Sequence, residues 1–242
     1  MQMILIAGKA EAGKSTLAHM IAAEAFKCGM VPAVMSFAGA LKKEAASKGY
    51  DKESNPEKYR EYCQTYGALY RKDNPEHWVD KLDDEVRDLV KKERASLKNN
   101  NKYWERCIII DDCRYINEVA YGKDNEAILI FLTAGNRKLK EAEWRAHESE
   151  ELAHLVEEGT ETGELFNHII FNDSSEKALQ KKIKAMVPVW CGITACKDIK
   201  NRLCDCTACV ARRAGEFTDL EDIVTELMDL LDLEEEDLDE ET

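Results

Sequence analysis

Eight residues near the start of the chain have the types and spacing of a phosphate-binding loop. Residues 8–15, Gly-Lys-Ala-Glu-Ala-Gly-Lys-Ser, match the pattern G-x-x-x-x-G-K-[ST] at every position. Glycines permit a tight backbone that turns N–H groups toward phosphate oxygens. In this pattern Lys14 reaches the outer phosphates and Ser15 ligates Mg²⁺. The residues expected to contact the nucleotide are Gly8, Lys9, Ala10, Glu11, Ala12, Gly13, Lys14, Ser15 and Thr16.

The surroundings of this motif favour a functional loop. An apolar run, residues 3–7, precedes it and indicates a buried strand, and a helical pattern begins at Lys14. The N-terminus of such a helix adds partial positive charge where phosphate would lie. The alternative is a glycine-rich turn that matches the pattern by chance. We expect ATP and Mg²⁺ to bind here, although the motif alone does not determine which reaction follows.

A second group of polar residues follows a later apolar run. Asp111 and Asp112 come at the end of residues 107–110, and Arg114 follows two residues later. In an open parallel sheet ligands bind at the carboxyl ends of strands, where a carboxylate such as Asp111 can hold Mg²⁺. Arg114 could bind a phosphate with two hydrogen bonds. The alternative is an aspartate that caps a loop beside a surface arginine.

These two groups need a sheet that brings strand ends together, and the sequence predicts one. Short apolar runs alternate with segments whose apolar residues recur at helical intervals. This alternation predicts an α/β fold with a mostly parallel five-stranded sheet covered on both faces. The predicted strands are residues 3–7, 32–37, 107–111, 127–132 and 168–171. The predicted helices are residues 14–28, 41–47, two within 56–97 that break near 73–75, 136–158 and 175–186.

The alternating pattern stops near residue 187, which predicts three regions. Residues 1–187 form the nucleotide-binding domain, residues 188–215 a Cys-rich segment, and residues 216–242 an acidic tail. Pro75 suits the first turn of the second helix within residues 56–97.

The net charge of −14 is concentrated in the tail. Residues 216–242 carry 14 acidic side chains and no Lys or Arg, which leaves 34 acidic residues against 34 basic ones in the rest of the chain. A neutral body argues against direct nucleic-acid binding, which needs a basic surface. No secretory signal and no membrane-length apolar run is evident, so we expect a cytoplasmic protein.

Five of the nine cysteines lie within residues 191–209. Four thiolates can close a tetrahedral zinc site, and Cys206-x-x-Cys209 has a common ligand spacing. A second C-x-x-C pair is missing, so free or redox-active thiols remain the alternative. A zinc site would use Cys196, Cys204, Cys206 and Cys209. The cysteines at positions 28, 63, 107 and 113 are interpreted as free thiols.

The tail contains one amphipathic pattern. Apolar residues recur at helical spacing over residues 219–233, with an acidic outer face. Such a helix would dock onto its own domain or onto a second copy in a homodimer, and recruitment of a basic partner is the alternative. Residues after 234 have the composition of a disordered segment.

Four segments in order resemble the bacteriophage-type deoxynucleoside monophosphate kinases, relatives of the adenylate kinase-like P-loop kinases. They are GKAEAGKST at 8–16, SFAGALKKE at 36–44, QTYGALYRKDNPEHWV at 64–79 and DDCRYINE at 111–118. HESEE at 147–151 and IIFNDSS at 169–175 add weaker similarity. The resemblance covers about residues 2–186 and leaves the Cys-rich segment and the tail outside it.

The resemblance implies a three-layer P-loop kinase fold with a helical acceptor-binding insertion and a lid. It implies that residues 37–78 bind the acceptor, a nucleoside monophosphate, and that residues 136–147 form the lid. The implied catalytic residues are Lys14, Asp112, Arg114, Arg137 and Arg145. The implied acceptor-binding residues are Phe37, Leu41, Lys42, Gln64, Gly67, Arg71, Trp78, Asp112, Arg114, Asn117 and Glu118. A phage-encoded protein would act in the host cytoplasm.

Simpler interpretations exist for several of these residues. Gln64 and Arg71 could lie on a solvated helix face, Trp78 could be ordinary core, and the lid arginines could be solvated. The expected reaction is transfer of the γ-phosphoryl group of ATP to a (deoxy)nucleoside monophosphate for DNA precursor synthesis. The alternatives are a P-loop kinase of another small phosphate acceptor, similar to phosphomevalonate kinase, and a nucleotide-dependent adaptor that works through its Cys-rich and acidic segments.

Overall fold

A computed structural model describes residues 1–100, 105–134, 151–157 and 165–192, without the side chains of residues 93–100 and residue 151. The predicted lid with Arg137 and Arg145, the cysteines at 196, 204, 206 and 209, and the acidic tail lie outside the described residues. Within the described ranges the chain forms five strands and seven helices. No helix in these ranges is long and apolar enough to span a membrane.

The five strands form one parallel sheet, as the sequence predicts. Its order is β2-β3-β1-β4-β5, and all four strand pairings are parallel. The two central apolar runs are buried on both sides, which is the pattern expected of strands covered by helices on both faces. The strands are β1 (Gln2–Ala7), β2 (Val31–Met35), β3 (Arg106–Cys113), β4 (Ile128–Thr133) and β5 (His168–Phe171).

Six of the helices follow the predicted order, although some of their ends differ, and a seventh helix over residues 116–124 was not predicted. The helices are α1 (Lys14–Lys27), α2 (Gly39–Ser47), α3 (Pro56–Asp73), α4 (His77–Asn100), α5 (Ile116–Asp124), α6 (Glu151–Glu157) and α7 (Glu176–Trp190). The predicted break between two helices falls between α3 and α4. Pro75 precedes α4 and is not in its first turn, whereas Pro56 opens α3. β3 continues past Ile110 through both aspartates, because its pairing with β1 extends to Cys113.

Alternate residues of the central strands face two separate apolar clusters. Ile4 and Ile6 of β1 belong to a cluster with α1 and α7, in which Leu17 and Ile183 are fully buried. Met3 and Leu5 face the other side, where they pack with residues of α2, α3, α4, α5 and α6. The sheet is therefore enclosed by helices on both faces, and its polar carboxyl edge is left to hold a site.

The last helix is longer than predicted. We expected it to end at residue 186, with a boundary near residue 187, but α7 continues through Pro188 to Trp190. Trp190 is 3% exposed and packs in the cluster with α1. Its indole Nε1 donates to Nε2 of His168 at 3.0 Å. This burial explains the extra turn, since a proline in the last turn removes only one backbone donor.

Helix α5 packs closely on the sheet at Gly122. A Cβ at this position would lie 2.7 Å from Cδ2 of both Leu5 and Leu129. We expect Gly122→Ala to lower the free energy of unfolding by about 1–3 kcal/mol because it overpacks this contact. The measurement is urea unfolding. The control is Lys123→Ala on the exposed side of the same helix, for which we expect a change within about 0.5 kcal/mol. Equal stability of the two variants would contradict the close packing.

Candidate functional site

The loop between β1 and α1, residues 8–13, is called the glycine loop below. Gly8 and Gly13 have φ values of 140° and 105°, and Glu11 between them has φ 66°. A Cβ at Gly8 would lie 2.1 Å from the carbonyl oxygen of Leu132 on β4. Only glycine fits at this position, because the backbone of β4 occupies the space a side chain would need. The loop therefore lies directly against the sheet.

A residue that the sequence did not assign to the site supports the loop from its other end. Asn172 follows β5, and its Nδ2 donates to the carbonyl oxygen of Ala12 at 2.8 Å. A Cβ at Gly13 would lie 2.7 Å from the same Nδ2. Asn172 lies in the similar segment IIFNDSS, and that similarity was the only signal that could have found it.

Lys14 is held across the glycine loop. Its Nζ donates to the carbonyl oxygens of Gly8 at 2.6 Å and Lys9 at 2.8 Å, and the residue is 7% exposed. A buried ammonium group needs such partners, because leaving it without hydrogen bonds is costly. These contacts fix the ammonium group beside the loop, where it lines a cavity.

Lys9 has a different environment from the other loop residues. Its Nζ forms an ion pair with Glu157 at the end of α6, and Thr133 Oγ1 donates to Glu157 at 3.1 Å. Helix α6 lies within the predicted polar segment 136–158, and its residues Leu152, Ala153 and Val156 are buried. The end of that segment is thereby connected to the glycine loop.

Ser15 and Asp111 meet although 96 positions separate them. Ser15 Oγ donates to Oδ2 of Asp111 at 2.7 Å. The contact forms because β1 and β3 are parallel neighbours and both end at the same edge. A hydroxyl and a carboxylate are oxygen donors of the kind Mg²⁺ prefers, and Mg²⁺ is commonly held by one or two such groups together with substrate phosphates and water. In the part of the chain described, no group of three or more His, Cys, Asp or Glu residues could hold a metal ion.

Asp112 serves another part of the site. It is 8% exposed, and its carboxylate accepts hydrogen bonds from the backbone N–H groups of Phe37 at 2.7 Å and Ala38 at 3.3 Å. Lys42 Nζ donates to it at 2.9 Å. Burial by itself would raise the pKa of Asp112, but Lys42, Arg114 and the Phe37 N–H outweigh burial and hold the pKa below its usual value. Asp112 thus ties the start of α2 to the end of β3.

Glu118 is the most buried carboxylate at the site. Oε1 accepts from Nη2 of Arg71 at 3.2 Å, and Oε2 accepts from the backbone N–H groups of Arg114 at 2.7 Å and Tyr115 at 3.1 Å. Burial, followed by the charge of Asp112, raises the pKa of Glu118 to about 7, against the opposing effect of Arg71 and the two N–H groups. This one side chain connects α3 to the turn between β3 and α5.

A cavity of about 540 Å³ joins these groups. It is lined by the glycine loop, the end of β3, the start of α2 and one face of α3. The predicted site residues that line it are Ala10, Glu11, Gly13, Lys14, Ser15, Thr16, Phe37, Leu41, Lys42, Gln64, Arg71, Asp111, Asp112, Arg114 and Glu118. The structure brings the residues expected at both ends of a phosphoryl transfer to one space.

Three predicted acceptor-binding residues support the cavity from outside its lining. Trp78 is 3% exposed, and its Nε1 donates to the carbonyl oxygen of Gly67 at 3.1 Å. Asn117 Nδ2 donates to the carbonyl oxygen of Pro75 at 3.0 Å. These contacts connect α3 with α4 and connect the turn between them with α5. The burial of Trp78 agrees with the alternative interpretation, in which this residue is part of the core.

Several lining residues were missed by the sequence analysis. They are Ala38, Lys52, Pro56, Tyr59, Arg60, Cys63 and Tyr115. A signal was available for the members of α3, because residues 56, 60, 63, 67 and 71 recur at helical spacing along one face. Lys52 lies in the connection before α3, where no periodic pattern could have identified it.

Comparison with known proteins does not identify a family. No protein-family model matches the chain, and no curated protein matches it significantly. The resemblance to phage nucleotide kinases therefore rests on the motifs in the sequence, and the kinase assignment stays a prediction.

We expect Asp112→Asn to lower the free energy of unfolding by about 2 kcal/mol, because charged hydrogen bonds to Lys42 and two backbone N–H groups are lost. The pKa of Asp112 lies below its ordinary value of 3.8, so its charge stabilises the fold above that pH. The deficit should therefore be full at about pH 5 to 6, where Asp112 is charged and Glu118 is still protonated, and it should be lost in urea unfolding as the pH falls below 3.8.

The matched control is the same substitution at the neighbouring position. Asp111 is half-buried and accepts from the exposed Ser15 hydroxyl, so Asp111→Asn should cost less than about 1 kcal/mol. A loss at about pH 5 to 6 that is no greater for Asp112→Asn than for Asp111→Asn would contradict the structural role of Asp112.

Proposed function

We propose that this protein transfers the γ-phosphoryl group of ATP to a nucleoside monophosphate, with a deoxynucleoside monophosphate as the expected acceptor. The observation that carries the proposal is the shared cavity, in which the glycine loop and the Asp111–Arg114 strand end face α3. A nucleotide-binding loop alone would support any ATPase. Cationic side chains from α3 and the turn after β3 line the same cavity, which supports transfer between two phosphorylated molecules.

The charges that line the cavity favour phosphate. Six cationic side chains line it, against four carboxylates, although the chain as a whole carries −14. The cations are Lys14, Lys42, Lys52, Arg60, Arg71 and Arg114. A concave site with one excess sign of charge concentrates ligands of the opposite sign. Two nucleotides bring several negative charges, which this surplus would partly neutralise.

The donor side is the glycine loop. Lys14 would exchange its contacts with the Gly8 and Lys9 carbonyls for contacts with the outer phosphates of ATP. Ser15 and Asp111 would hold Mg²⁺, and the bound ion would neutralise charge on the outer phosphates. The close approach of Gly8 to Leu132 keeps the loop backbone in place while these side chains act.

The acceptor side is formed by α3 and the turn after β3. Arg71 and Arg114 line the cavity from two different elements. A guanidinium group binds a phosphate through two parallel hydrogen bonds, so a pair of arginines can orient a phosphate monoester. Gln64 and Tyr59 line the same side, and their polar and aromatic groups suit contact with the remainder of a nucleotide.

The chemistry requires positioning more than base catalysis. An oxygen of the acceptor phosphate forms a bond to the γ-phosphorus while the bond from that phosphorus to the bridging oxygen breaks, and ADP leaves with the electron pair. A phosphate oxygen is already ionised, so no proton has to be removed first. Lys14 would spread the charge that develops between the two nucleotides. The resemblance adds Arg137 and Arg145 to this role.

We expect Lys14→Ala to reduce phosphoryl transfer by about 100-fold or more, because a preorganised cation beside the transferred group is lost. The measurement is ADP release by the full chain with ATP, Mg²⁺ and each nucleoside monophosphate in turn. Product should form only with particular monophosphates. The control is Lys43→Ala, which removes an exposed lysine paired with Glu85 outside the cavity.

Two results would contradict the assignment. ATP turnover that no monophosphate changes would show that no nucleotide acceptor is used, and activity with another small phosphorylated acceptor alone would move the reaction to a different kinase class. Equal activity of Lys14→Ala and Lys43→Ala would exclude the role of the glycine loop.

We expect Asp111→Asn to raise the Mg²⁺ concentration that gives half-maximal activity by about 10-fold or more, because the amide is a weaker oxygen ligand and the Ser15 contact changes. Activity measured against free Mg²⁺ at saturating ATP tests this. Glu85→Gln, which neutralises a carboxylate outside the cavity, should leave the Mg²⁺ requirement unchanged. An unchanged requirement in Asp111→Asn would remove this residue from the metal site.

A further inference from the structure

Arg71 is held on two sides where it enters the cavity. Its Nη2 donates to Glu118 Oε1 at 3.2 Å, and its Cζ lies 3.8 Å from the centroid of the Tyr115 ring. Arg71 comes from α3, whereas Tyr115 and Glu118 come from the turn and helix after β3. A guanidinium group that stacks on a ring and pairs with a carboxylate has lost most of its rotational freedom.

Glu118 also fixes the backbone from which a second arginine extends. Its Oε2 accepts from the N–H of Arg114 at 2.7 Å, and the side chain is 2% exposed. Arg114 lines the same cavity as Arg71. A single buried carboxylate therefore sets the positions of two cationic residues that lie on different elements. A buried charge of this kind is costly unless its partners satisfy it, so its contacts are strongly coupled.

Gly67 leaves space for the guanidinium group of Arg71. At Gly67, one turn earlier on α3, a Cβ would lie 3.4 Å from Arg71 Nη1 and 3.4 Å from Leu41 Cδ2. The absence of a side chain at Gly67 leaves room for the guanidinium group between α2 and α3. The position of Arg71 is thus determined by contacts on several sides.

We infer that Glu118 is a positioning residue that holds Arg71 and the backbone of Arg114 so that both guanidinium groups bind one phosphate monoester dianion in the cavity. This inference rests on the proposed function, in which that dianion is the phosphate of the acceptor nucleotide. Glu118 itself does not touch the acceptor. It acts through the two arginines and through the Tyr115 ring.

The position of Glu118 makes this contact sensitive to pH. Burial raises the pKa of Glu118 to about 7, and the charge of Asp112 adds to this effect. The charged and titratable groups that face it are Asp112 and Cys113 from β3, Arg71 from α3, and Arg114. As the pH falls through about 7, Glu118 takes up a proton and loses the charge that holds Arg71. Acceptor binding should therefore weaken below neutral pH.

The test is Glu118→Gln in the full chain. The amide keeps the shape of the side chain and removes its charge. We expect the KM for the acceptor to rise about 10-fold at about pH 8, since one charge-assisted contact to Arg71 is lost, with the KM for ATP changed less than twofold. The control Glu85→Gln removes a carboxylate that pairs with Lys43 outside the cavity, and both KM values should stay at the wild-type level.

The pH profile separates positioning from a general loss of structure. In the wild type the acceptor KM should rise as the pH falls from about 8 to about 6.5, by more than the titration of the acceptor phosphate near pH 6 explains. In Glu118→Gln only the titration of the acceptor should remain. Equal pH profiles in the two proteins, or parallel increases in both KM values, would overturn the inference.

A second pair of variants tests the ring if Glu118→Gln does not fold. Tyr115→Leu removes the surface against which Arg71 stacks, and Tyr115→Phe keeps it. We expect the acceptor KM to rise several-fold in Tyr115→Leu and to stay near the wild-type value in Tyr115→Phe. Equal values for the two variants would overturn the role of the stack.

A binding measurement distinguishes failure of this inference from failure of the proposed function. Inorganic phosphate can be titrated while the Arg71 Nε–Hε signal is followed by NMR, which requires no turnover. If the wild type transfers no phosphoryl group, the proposed function fails. A phosphate-dependent Arg71 signal that is lost in Glu118→Gln would still support positioning. An Arg71 signal that is the same in both proteins would overturn it.

Discussion

The parallel pairing of β1 with β3 is the constraint on which the site depends. It places the ends of two distant segments at one edge of the sheet, so that the first turn of α1 meets the aspartates of β3. Ser15 and Asp111 are in direct contact there, through a hydrogen bond of 2.7 Å. Because successive side chains of a strand point to opposite sides, the side chain of Asp112 faces α2. A single strand end thereby serves two sides of the cavity.

The carboxylates around the cavity have separate structural tasks. Asp111 faces the hydroxyl at the start of α1, Asp112 holds the start of α2, and Glu118 connects α3 with the turn after β3. Each of these three carboxylates accepts hydrogen bonds from a different side chain, so their negative charges do not combine into one strongly acidic surface. The cations that remain around the cavity can then attract phosphate. Burial raises the pKa of both Asp112 and Glu118, and their partners decide the outcome. Lys42 and Arg114 lower the pKa of Asp112 below its usual value, whereas the negative charge of Asp112 adds to burial at Glu118 and outweighs Arg71.

The sequence predicted the strands and the glycine loop because both depend on local patterns. Apolar runs of four to six residues marked all five strands, and the loop motif marked the turn after β1. Asp111 was expected at Mg²⁺ and Asp112 at the acceptor, but the contacts of Asp112 with the backbone before α2 could not be predicted, because they depend on which side of β3 each aspartate faces. Asn172 and Lys52 were missed for a related reason. Asn172 acts through a contact with the glycine loop 160 positions earlier in the chain, and Lys52 is brought to the cavity only by the fold.

The position of Cys191 has a practical consequence for attaching a label. Its thiol is in hydrogen-bonding contact with those of Cys28 and Cys107, which lie at the end of α1 and the start of β3. Four residues of strand, roughly 13 Å, separate Cys107 from Asp111. Cys191 therefore lies at the edge of the sheet opposite to the cavity. A fluorophore or surface tether attached at position 192 would be joined to the chain at the edge of the sheet away from Asp111 and the described lining of the cavity.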